Sequence, residues 1–214
     1  MVVRKIPVIL LLFIILSTNA QAAQSGGKVI LVTGFKPFGN HDVNPSELIA
    51  EELNGSTIED VKIVGISLEV EWNASYRKAI EVIKRYNPCA VVSIGLAPES
   101  SVIRLEKLAI NLRWSGHFPF ICFILKYSPL FLWTDTNLHE ISAEMKKENI
   151  PSRVSYFAGL YVCNYLFYRL LYYKEKNDPE MKVIFIHVPP LDRMDLQEMT
   201  EGVKIAISHL IKDA

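Results

Sequence analysis

The stretch Lys28-Val-Ile-Leu-Val-Thr33, followed by Gly34-Phe-Lys-Pro-Phe-Gly39 and then by Asn44-Pro45-Ser46, decides the fold class of this chain. The first run is mostly apolar and β-branched, which predicts a buried strand. The glycines and the proline that follow predict a loop. Asn44 and Pro45 are typical of the cap and the first turn of a helix. The order is therefore strand, loop and helix, which is the repeating unit of an α/β sheet.

The same alternation continues through most of the 214 residues. Further strands are predicted over 61–68, over 90–95, through Val154 and over 182–188, and helices over 72–86, near 136–149, over 161–174 and at the end of the chain. In the last helix, Asp195 and Glu198 have the spacing of a capping box. The sequence therefore predicts one α/β domain over residues 28–214, with helices on both faces of a mostly parallel sheet.

The first 23 residues have the composition of a secretory signal peptide. Arg4 and Lys5 precede the apolar run Ile6 to Leu16, and Ala20-Gln21-Ala22-Ala23 follows it. The run is shorter than the ~20 apolar residues that a membrane-spanning helix needs. We expect cleavage after Ala22 or Ala23 and export of the remaining chain. An uncleaved anchor, or a start codon placed upstream of the true one, is the alternative.

Charge and cysteine content exclude several classes of protein. Without Arg4 and Lys5, 21 basic residues face 23 acidic ones, and they are scattered rather than clustered, so no nucleic-acid-binding surface is predicted. Three cysteines are too few, and odd in number, for a disulfide framework. No two histidines have the spacing of metal ligands, so no metal and no cofactor are expected.

Three side chains are candidates for catalysis. Cys163 lies at or near the start of a predicted helix, where free N–H groups and the helix dipole favour a thiolate. His187 ends a predicted strand, and Glu106 is a carboxylate among apolar neighbours that would need a partner. A thiol, an imidazole and a carboxylate are the minimum set for thiolate nucleophilic catalysis. Each residue taken alone could instead be structural.

Two aromatic residues are candidates for binding. Phe35 and Phe38 flank Pro37 in a loop at the carboxyl end of a strand, where ligands usually bind in open α/β sheets. They could enclose a flat, uncharged group or simply fill the core beneath the loop.

Five motifs, taken together, resemble the pyroglutamyl peptidase I family, also called pyrrolidone-carboxylate peptidases. They are Thr33-Gly-Phe-Lys-Pro-Phe-Gly39 with Asn44-Pro-Ser46, Gly95-Leu-Ala-Pro98, Ile103-x-Leu-Glu-Lys-Leu-Ala-Ile-Asn111, Ala158-Gly-x-Tyr-Val-Cys-Asn-Tyr-Leu-Phe-Tyr168 and Phe185-Ile-His-Val-Pro189. Their order along the chain is that of the family, and they extend over residues 28–111 and 136–211.

The resemblance implies a three-layer α/β/α sandwich and a metal-free cysteine peptidase that removes an N-terminal pyroglutamyl residue from peptides. It implies Cys163 as the nucleophile, His187 as base and then acid, and Glu106 as the group that orients the imidazole. Phe35, Phe38, Tyr161 and Val162 would line the substrate pocket. The family resemblance also implies a homo-oligomer, a dimer or tetramer, and a cytoplasmic location, whereas the predicted signal peptide implies export.

The chain departs from the family pattern in three further places. Glu99-Ser100 replaces Gly-Arg, Phe157-Ala-Gly-Leu160 replaces Thr-Ala-Gly-Thr, and the atypical segment 112–135 begins with a shorter and strongly apolar stretch, 112–133. A compensated reading-frame shift would produce such a segment, and so would an aromatic surface for a partner or a membrane. An exported, non-catalytic homologue that binds peptides is therefore the alternative function.

Overall fold

The computed structural model describes residues 28–118 and 120–213, which form a central sheet with helices on both faces. Eleven strands are present in this part of the chain: β1 (Val29–Phe35), β2 (Thr57–Ile58), β3 (Val61–Leu68), β4 (Ala90–Leu96), β5 (Ile103–Glu106), β6 (Leu108–Ile110), β7 (Leu112–Trp114), β8 (Ile121–Phe123), β9 (Phe131–Trp133), β10 (Ser152–Ser155) and β11 (Lys182–Val188). The five helices are α1 (Pro45–Leu53), α2 (Trp72–Tyr86), α3 (Leu138–Lys147), α4 (Val162–Asn177) and α5 (Leu196–Lys212).

The central sheet has seven strands in the order β10-β5-β11-β4-β1-β3-β2. Strands β3, β1, β4 and β11 run parallel, as their continuous apolar sequences predict. The exceptions are β2, which is antiparallel to β3, and β5, which is antiparallel to β11, together with β10, which is parallel to β5. The second exception matters for the site, because it places the strand that carries Glu106 directly beside the strand that carries His187.

Two apolar clusters fill the space between the sheet and the helices. One contains side chains of α1, α3 and α5, among them Ile49, Met145 and Val203, on one face of the sheet. The other contains side chains of α2 and α4, among them Ile83 and Leu166, on the opposite face. The molecule is therefore the three-layer α/β/α sandwich that the sequence indicates.

The helix ends show which local signals the fold uses. Asn44 caps α1, because its side-chain oxygen accepts a hydrogen bond from the Ser46 N–H at 3.1 Å. Asn87 ends α2 in the left-handed conformation, at φ 45°. The capping box predicted at α5 is wrong in its detail: Asp195 is the N-cap residue, but its side chain makes no capping hydrogen bond.

The apolar segment that begins at Leu112 takes part in two small antiparallel ribbons: β7 pairs with β8 inside it, and its β9 pairs with β6, which precedes it. Buried Asn111 holds the base of this segment. Its side chain donates to the Leu125 carbonyl and accepts from the Leu125 N–H, each at 2.8 Å. Most of the large side chains beyond that base are exposed: Trp114, Phe118, Phe120, Ile121, Phe123, Tyr127, Leu130, Phe131 and Trp133. The segment is therefore held at its base by the hydrogen bonds of Asn111, and its surface is apolar.

The predicted signal peptide, residues 1–23, lies outside the described residues and stays a prediction. Within residues 28–118 and 120–213, none of the helices has both the length and the apolar character required to cross a bilayer.

Candidate active site

The pairing of β5 with β11 brings a carboxylate to an imidazole. In this antiparallel register His187 lies opposite Arg104, and Phe185 lies opposite Glu106. Directly opposed residues point to the same face of a sheet, as do residues two apart along one strand. His187, Arg104 and Glu106 therefore share one face, and His187 reaches Glu106 along the diagonal.

The resulting contact is short and buried. His187 Nδ1 lies 2.8 Å from Glu106 Oε1, the Glu106 side chain is fully buried and His187 is 5% exposed. Burial alone would lower the pKa of His187, but its interactions with the Cys163 sulfur and the Glu106 carboxylate outweigh burial and raise that pKa from 6.5 to about 9. The imidazole is therefore held mainly as the imidazolium at neutral pH.

The Glu106 carboxylate is correspondingly held as an anion. Burial would raise its pKa, but the hydrogen bond and charge of His187, the Ser155 side chain and the Arg104 charge together bring the pKa below its ordinary value of 4.5. Arg104 lies at 2.9 Å from Glu106 Oε1 through one terminal nitrogen. The Oε1 atom of Glu106 thus has the kind of partners that a carboxylate among apolar neighbours needs.

Cys163 is the second residue of α4, directly after the N-cap residue Tyr161 and Val162. The N–H groups of a helix's first turn have no partner within the helix, and they favour negative charge. They can therefore stabilise a thiolate and, during acyl transfer, an oxyanion. Cys163 is also one of the groups that raise the pKa of His187.

Two cavities meet at Cys163. The first, of about 400 Å³, is lined by Phe35, Phe38, Asn44, Val70, Trp72, Leu96, Tyr161, Val162 and Cys163. The second, of about 360 Å³, is lined by Phe38, Leu96, Ala97, Pro98, Glu99, Arg104, Phe157, Ala158, Gly159, Tyr161, Cys163 and His187. The first is almost entirely apolar and the second contains the imidazole. The thiol therefore has a different environment on each side.

All seven residues predicted from the sequence are found here. Cys163, His187 and Glu106 come together, and Phe35, Phe38, Tyr161 and Val162 all line the first cavity. Phe35 lines this cavity and also belongs to the apolar cluster beneath the loop.

Sequence reasoning missed three other residues of the site. Trp72 lines the first cavity from the start of α2, Asn44 closes it while capping α1, and Arg104 contacts Glu106. The contact of Arg104 with Glu106 could have been predicted from the sequence, because Arg104 stands two residues before Glu106 on a predicted strand, and such residues share one face of the sheet. Nothing in the local sequence marks Trp72 as part of the cavity, since its place depends on how α2 packs.

The departures from the family pattern are accommodated in the backbone. Ser100 closes a tight turn through its N–H to the Ala97 carbonyl at 2.9 Å, and its hydroxyl donates to the Val102 carbonyl at 2.7 Å. In the loop before α4, Gly159 adopts φ 84°, a conformation that suits glycine. The Phe157 carbonyl accepts a hydrogen bond from Arg104 at 2.8 Å.

No group of three or more potential metal ligands occurs in the part of the chain that the structure describes. A thiol with a carboxylate-backed imidazole needs no metal to attack a carbonyl, and on an α/β/α sandwich it defines a hydrolase of the cysteine peptidase class.

The chain belongs to the pyroglutamyl peptidase family, whose model matches residues 28–212. It is 37% identical over 199 residues to pyrrolidone-carboxylate peptidase 1 of Caldanaerobacter subterraneus subsp. tengcongensis, covering 86% of this chain and 98% of the relative. It is 32% identical over 196 residues to the pyrrolidone-carboxylate peptidase of Bacillus mycoides, covering 84% and 91%.

Solved structures show the same fold. Pyroglutamyl peptidase I of Bacillus amyloliquefaciens superimposes with a TM-score of 0.79 at 33% identity, covering 84% of this chain and 94% of that one. The pyrrolidone carboxyl peptidase of Thermococcus litoralis gives a TM-score of 0.82 at 27% identity, covering 86% and 94%. The family and fold expected from the five motifs are thereby confirmed, as is the class of cysteine-type exopeptidase.

Proposed function

We propose that this protein hydrolyses the amide bond that follows an N-terminal pyroglutamyl residue, with Cys163 as nucleophile, His187 as acid and base, and Glu106 as the group that orients the imidazole. The observation that carries the proposal is that two cavities meet at Cys163, one almost entirely apolar and the other containing the His187 imidazole. Membership of a family of peptidases named for this substrate supports it.

The first cavity suits the pyroglutamyl ring. A lactam is flat and uncharged, so it gains from apolar contact and needs few hydrogen-bond partners. Phe35, Phe38 and Trp72 supply apolar surface, and Asn44 is the polar side chain of the lining. The lining named above has no carboxylate to hold an ammonium group, so it does not favour an ordinary free amino terminus.

The second cavity suits the leaving peptide. The group that protonates the leaving amine must be on the leaving side of the scissile bond, and His187 lines only this cavity of the two. The substrate is therefore oriented with its ring in the first cavity and its peptide chain extending through the second.

The reaction follows from this placement. The Cys163 thiolate attacks the amide carbonyl carbon, and the first-turn N–H groups of α4 stabilise the oxyanion. The carbon–nitrogen bond breaks as the His187 imidazolium gives its proton to the leaving amine, which leaves a thioester. His187 then takes a proton from water, the resulting hydroxide attacks the thioester, and pyroglutamate leaves as the thiolate is restored.

The test is the release of a fluorescent amine from a pyroglutamyl amide by the purified protein. Cys163→Ala should abolish turnover while it leaves the circular dichroism spectrum unchanged. A prolyl amide, which has the same ring without the lactam carbonyl and with a charged nitrogen, should be a poor substrate. A folded protein with no thiol-dependent turnover of the pyroglutamyl amide would contradict the proposal.

The alternative of a non-catalytic peptide-binding homologue has no support among the relatives described above, which are named as peptidases. Export is a separate proposal, supported by the composition of residues 1–23. Amino-terminal sequencing of the protein recovered from its natural source would test it, because cleavage after Ala22 or Ala23 gives a distinct new terminus.

A further inference from the structure

Arg104 joins three parts of the site that are separate in sequence. Its Nε and one terminal nitrogen lie 3.1 Å and 2.9 Å from Glu106 Oε1. The same terminal nitrogen donates to the Phe157 carbonyl at 2.8 Å, and the other donates to Glu99 Oε1 at 2.7 Å. One planar guanidinium thus contacts the carboxylate behind His187, the loop before Cys163 and the rim of the second cavity.

The contacts of Arg104 with Glu99 and with Glu106 differ in how much energy they can contribute to holding the site together. The Glu99 side chain is 71% exposed, so its pair with Arg104 is an exposed ion pair of small energy. Glu106 is fully buried and the Arg104 side chain is only 12% exposed. A buried carboxylate is costly to leave without its partners, so the contact between Arg104 and Glu106 is the one that matters.

Glu106 Oε1 is shared between two donors. It accepts from Arg104 on one side and from His187 Nδ1 at 2.8 Å on the other. A carboxylate held by His187 alone would be free to rotate about its last side-chain bond. Arg104 removes that freedom, because its fork has fixed geometry.

The contact with Phe157 extends the same constraint to the nucleophile. Phe157 lies six residues before Cys163, in the loop that turns at Gly159 into α4. An arginine that holds this carbonyl and Glu106 at once fixes the distance between the carboxylate and the helix that carries the thiol.

We propose that Arg104 is a positioning residue of this active site, which sets Glu106 and the loop before α4 in register so that His187 faces Cys163. The inference rests on the proposed roles of those three residues. The charge alone is not sufficient, because a lysine ammonium cannot contact Glu106 and the Phe157 carbonyl with the same fixed geometry.

The experiment compares Arg104→Lys and Arg104→Met with one control. Arg153→Met removes an exposed arginine that lies beside Arg104 in the β10–β5 pairing. Turnover of a pyroglutamyl amide should fall on the order of 10- to 100-fold in kcat for both Arg104 variants, with KM little changed, because a misplaced reacting group costs up to ~10²-fold. The Arg153→Met control should stay within about twofold of the wild type.

A second readout does not depend on peptidase activity. Alkylation of Cys163 by iodoacetamide at pH 7 should slow about tenfold in Arg104→Lys and Arg104→Met, because an imidazolium that is no longer positioned stabilises the thiolate less. Tryptic mass spectrometry identifies the alkylated cysteine, and thermal unfolding confirms that each variant is folded.

The outcomes separate the two proposals. If the wild type hydrolyses the amide and Arg104→Lys matches it in both kcat and alkylation rate, the positioning role is wrong and the function stands. If the wild type does not hydrolyse the amide but alkylation still slows in both Arg104 variants, the positioning role stands and the function is wrong. Equal alkylation in all folded variants overturns the inference.

Discussion

Gly95 has no room for a side chain because the Cys163 sulfur occupies the place where one would begin. A Cβ built on Gly95 would lie 2.8 Å from Cys163 Sγ and 3.1 Å from the Phe185 ring. Gly95 is near the end of β4, the neighbour of β11, so the sheet itself forms the floor of the site. The position of the sulfur is therefore set by a strand as well as by the start of α4.

Gly95→Ala should displace the sulfur while the fold survives. The added methyl group meets Sγ at a distance that carbon and sulfur do not tolerate, and Cys163 is only two residues into a helix, where it can move. We expect pyroglutamyl amide turnover to fall about 100-fold, because small misplacements of reacting groups cost up to ~10²-fold in rate. A crystal structure of the variant would show the displaced Cys163 sulfur, and the rate of alkylation by iodoacetamide would report its changed environment. Wild-type turnover in Gly95→Ala would show that the sulfur does not need this position.

Glu106→Gln should shift the alkaline limb of the pH profile. His187 has a pKa of about 9, and the Glu106 carboxylate is one of the groups that raise it. The leaving amine takes its proton from the imidazolium, so kcat/KM falls as pH rises through that pKa. Without the negative charge at position 106 the His187 pKa falls, and the alkaline limb moves to lower pH.

The measurement for that variant is kcat/KM between pH 6 and 10, with Glu99→Gln as the matched control, because Glu99 is an exposed carboxylate at the rim of the same cavity. Its profile should overlay that of the wild type. An alkaline limb that stays in place in Glu106→Gln would argue against Glu106 as a source of the raised pKa.

Trp72→Ala should weaken substrate binding more than chemistry. Trp72 lines the cavity assigned to the pyroglutamyl ring and does not line the one that contains His187. Loss of its apolar surface should raise KM roughly tenfold, about 1.4 kcal/mol, with kcat nearly unchanged. Tyr86→Ala, at the far end of the same helix, is the control. A large fall in kcat at constant KM would place Trp72 in the chemistry instead.

Cys163 should react with iodoacetamide faster than Cys89. Cys89 is partly buried, its thiol donates to the Val29 carbonyl at 3.4 Å, and burial raises its pKa above the ordinary value. Cys163 lines both cavities and lies beside an imidazolium. We expect the ratio of the two rates at pH 7 to exceed tenfold in the folded protein and to approach one in urea. Preferential labelling of Cys89 would contradict an activated Cys163.

Asn164→Ala should destabilise the protein and disturb the site. This fully buried side chain accepts from the Ile110 N–H at 2.9 Å and donates to the carbonyls of Ile110 and Leu112 at 2.8 Å and 2.9 Å. Three partly buried backbone groups would lose this partner, so the free energy of unfolding should fall by about 3 kcal/mol. Urea unfolding measures it. Asn177→Ala, at the exposed end of the same helix, should change it by less than about 1 kcal/mol.

Much of the fold is predictable because its signals are local. The buried strand that ends at Thr33, the Asn44 cap and the helix 72–86 each follow from a few neighbouring residues. The antiparallel placement of β5 beside β11 does not, because it joins residues about 80 positions apart through hydrogen bonds that any sequence could make. The contact between Arg104 and Glu106 follows from their spacing on one strand, but the contact between Arg104 and the Phe157 carbonyl joins residues 53 positions apart and has no local signal.

The catalytic candidates were predictable for a different reason. Cys163, His187 and Glu106 are chemically distinctive, and their motifs match a known family, whereas Trp72 is an ordinary amphipathic-helix residue in sequence. The origin of the apolar segment 112–133 is a question about the gene. The frame-shift hypothesis stays a prediction, and translating the other two frames over this stretch tests it.

Two buried asparagines, Asn111 and Asn164, fasten the segment that begins at Leu112 through hydrogen bonds to backbone atoms alone. Such an attachment does not depend on which side chains the segment carries further out. Exposed side chains further out, such as those of Phe118 and Phe123, can therefore change without loss of these hydrogen bonds, whereas Leu132 belongs to the apolar core. Variation among the exposed side chains is in that sense uncoupled from the attachment of the segment. No described residue of the segment lines either cavity at Cys163, so this surface can evolve independently of the catalytic groups.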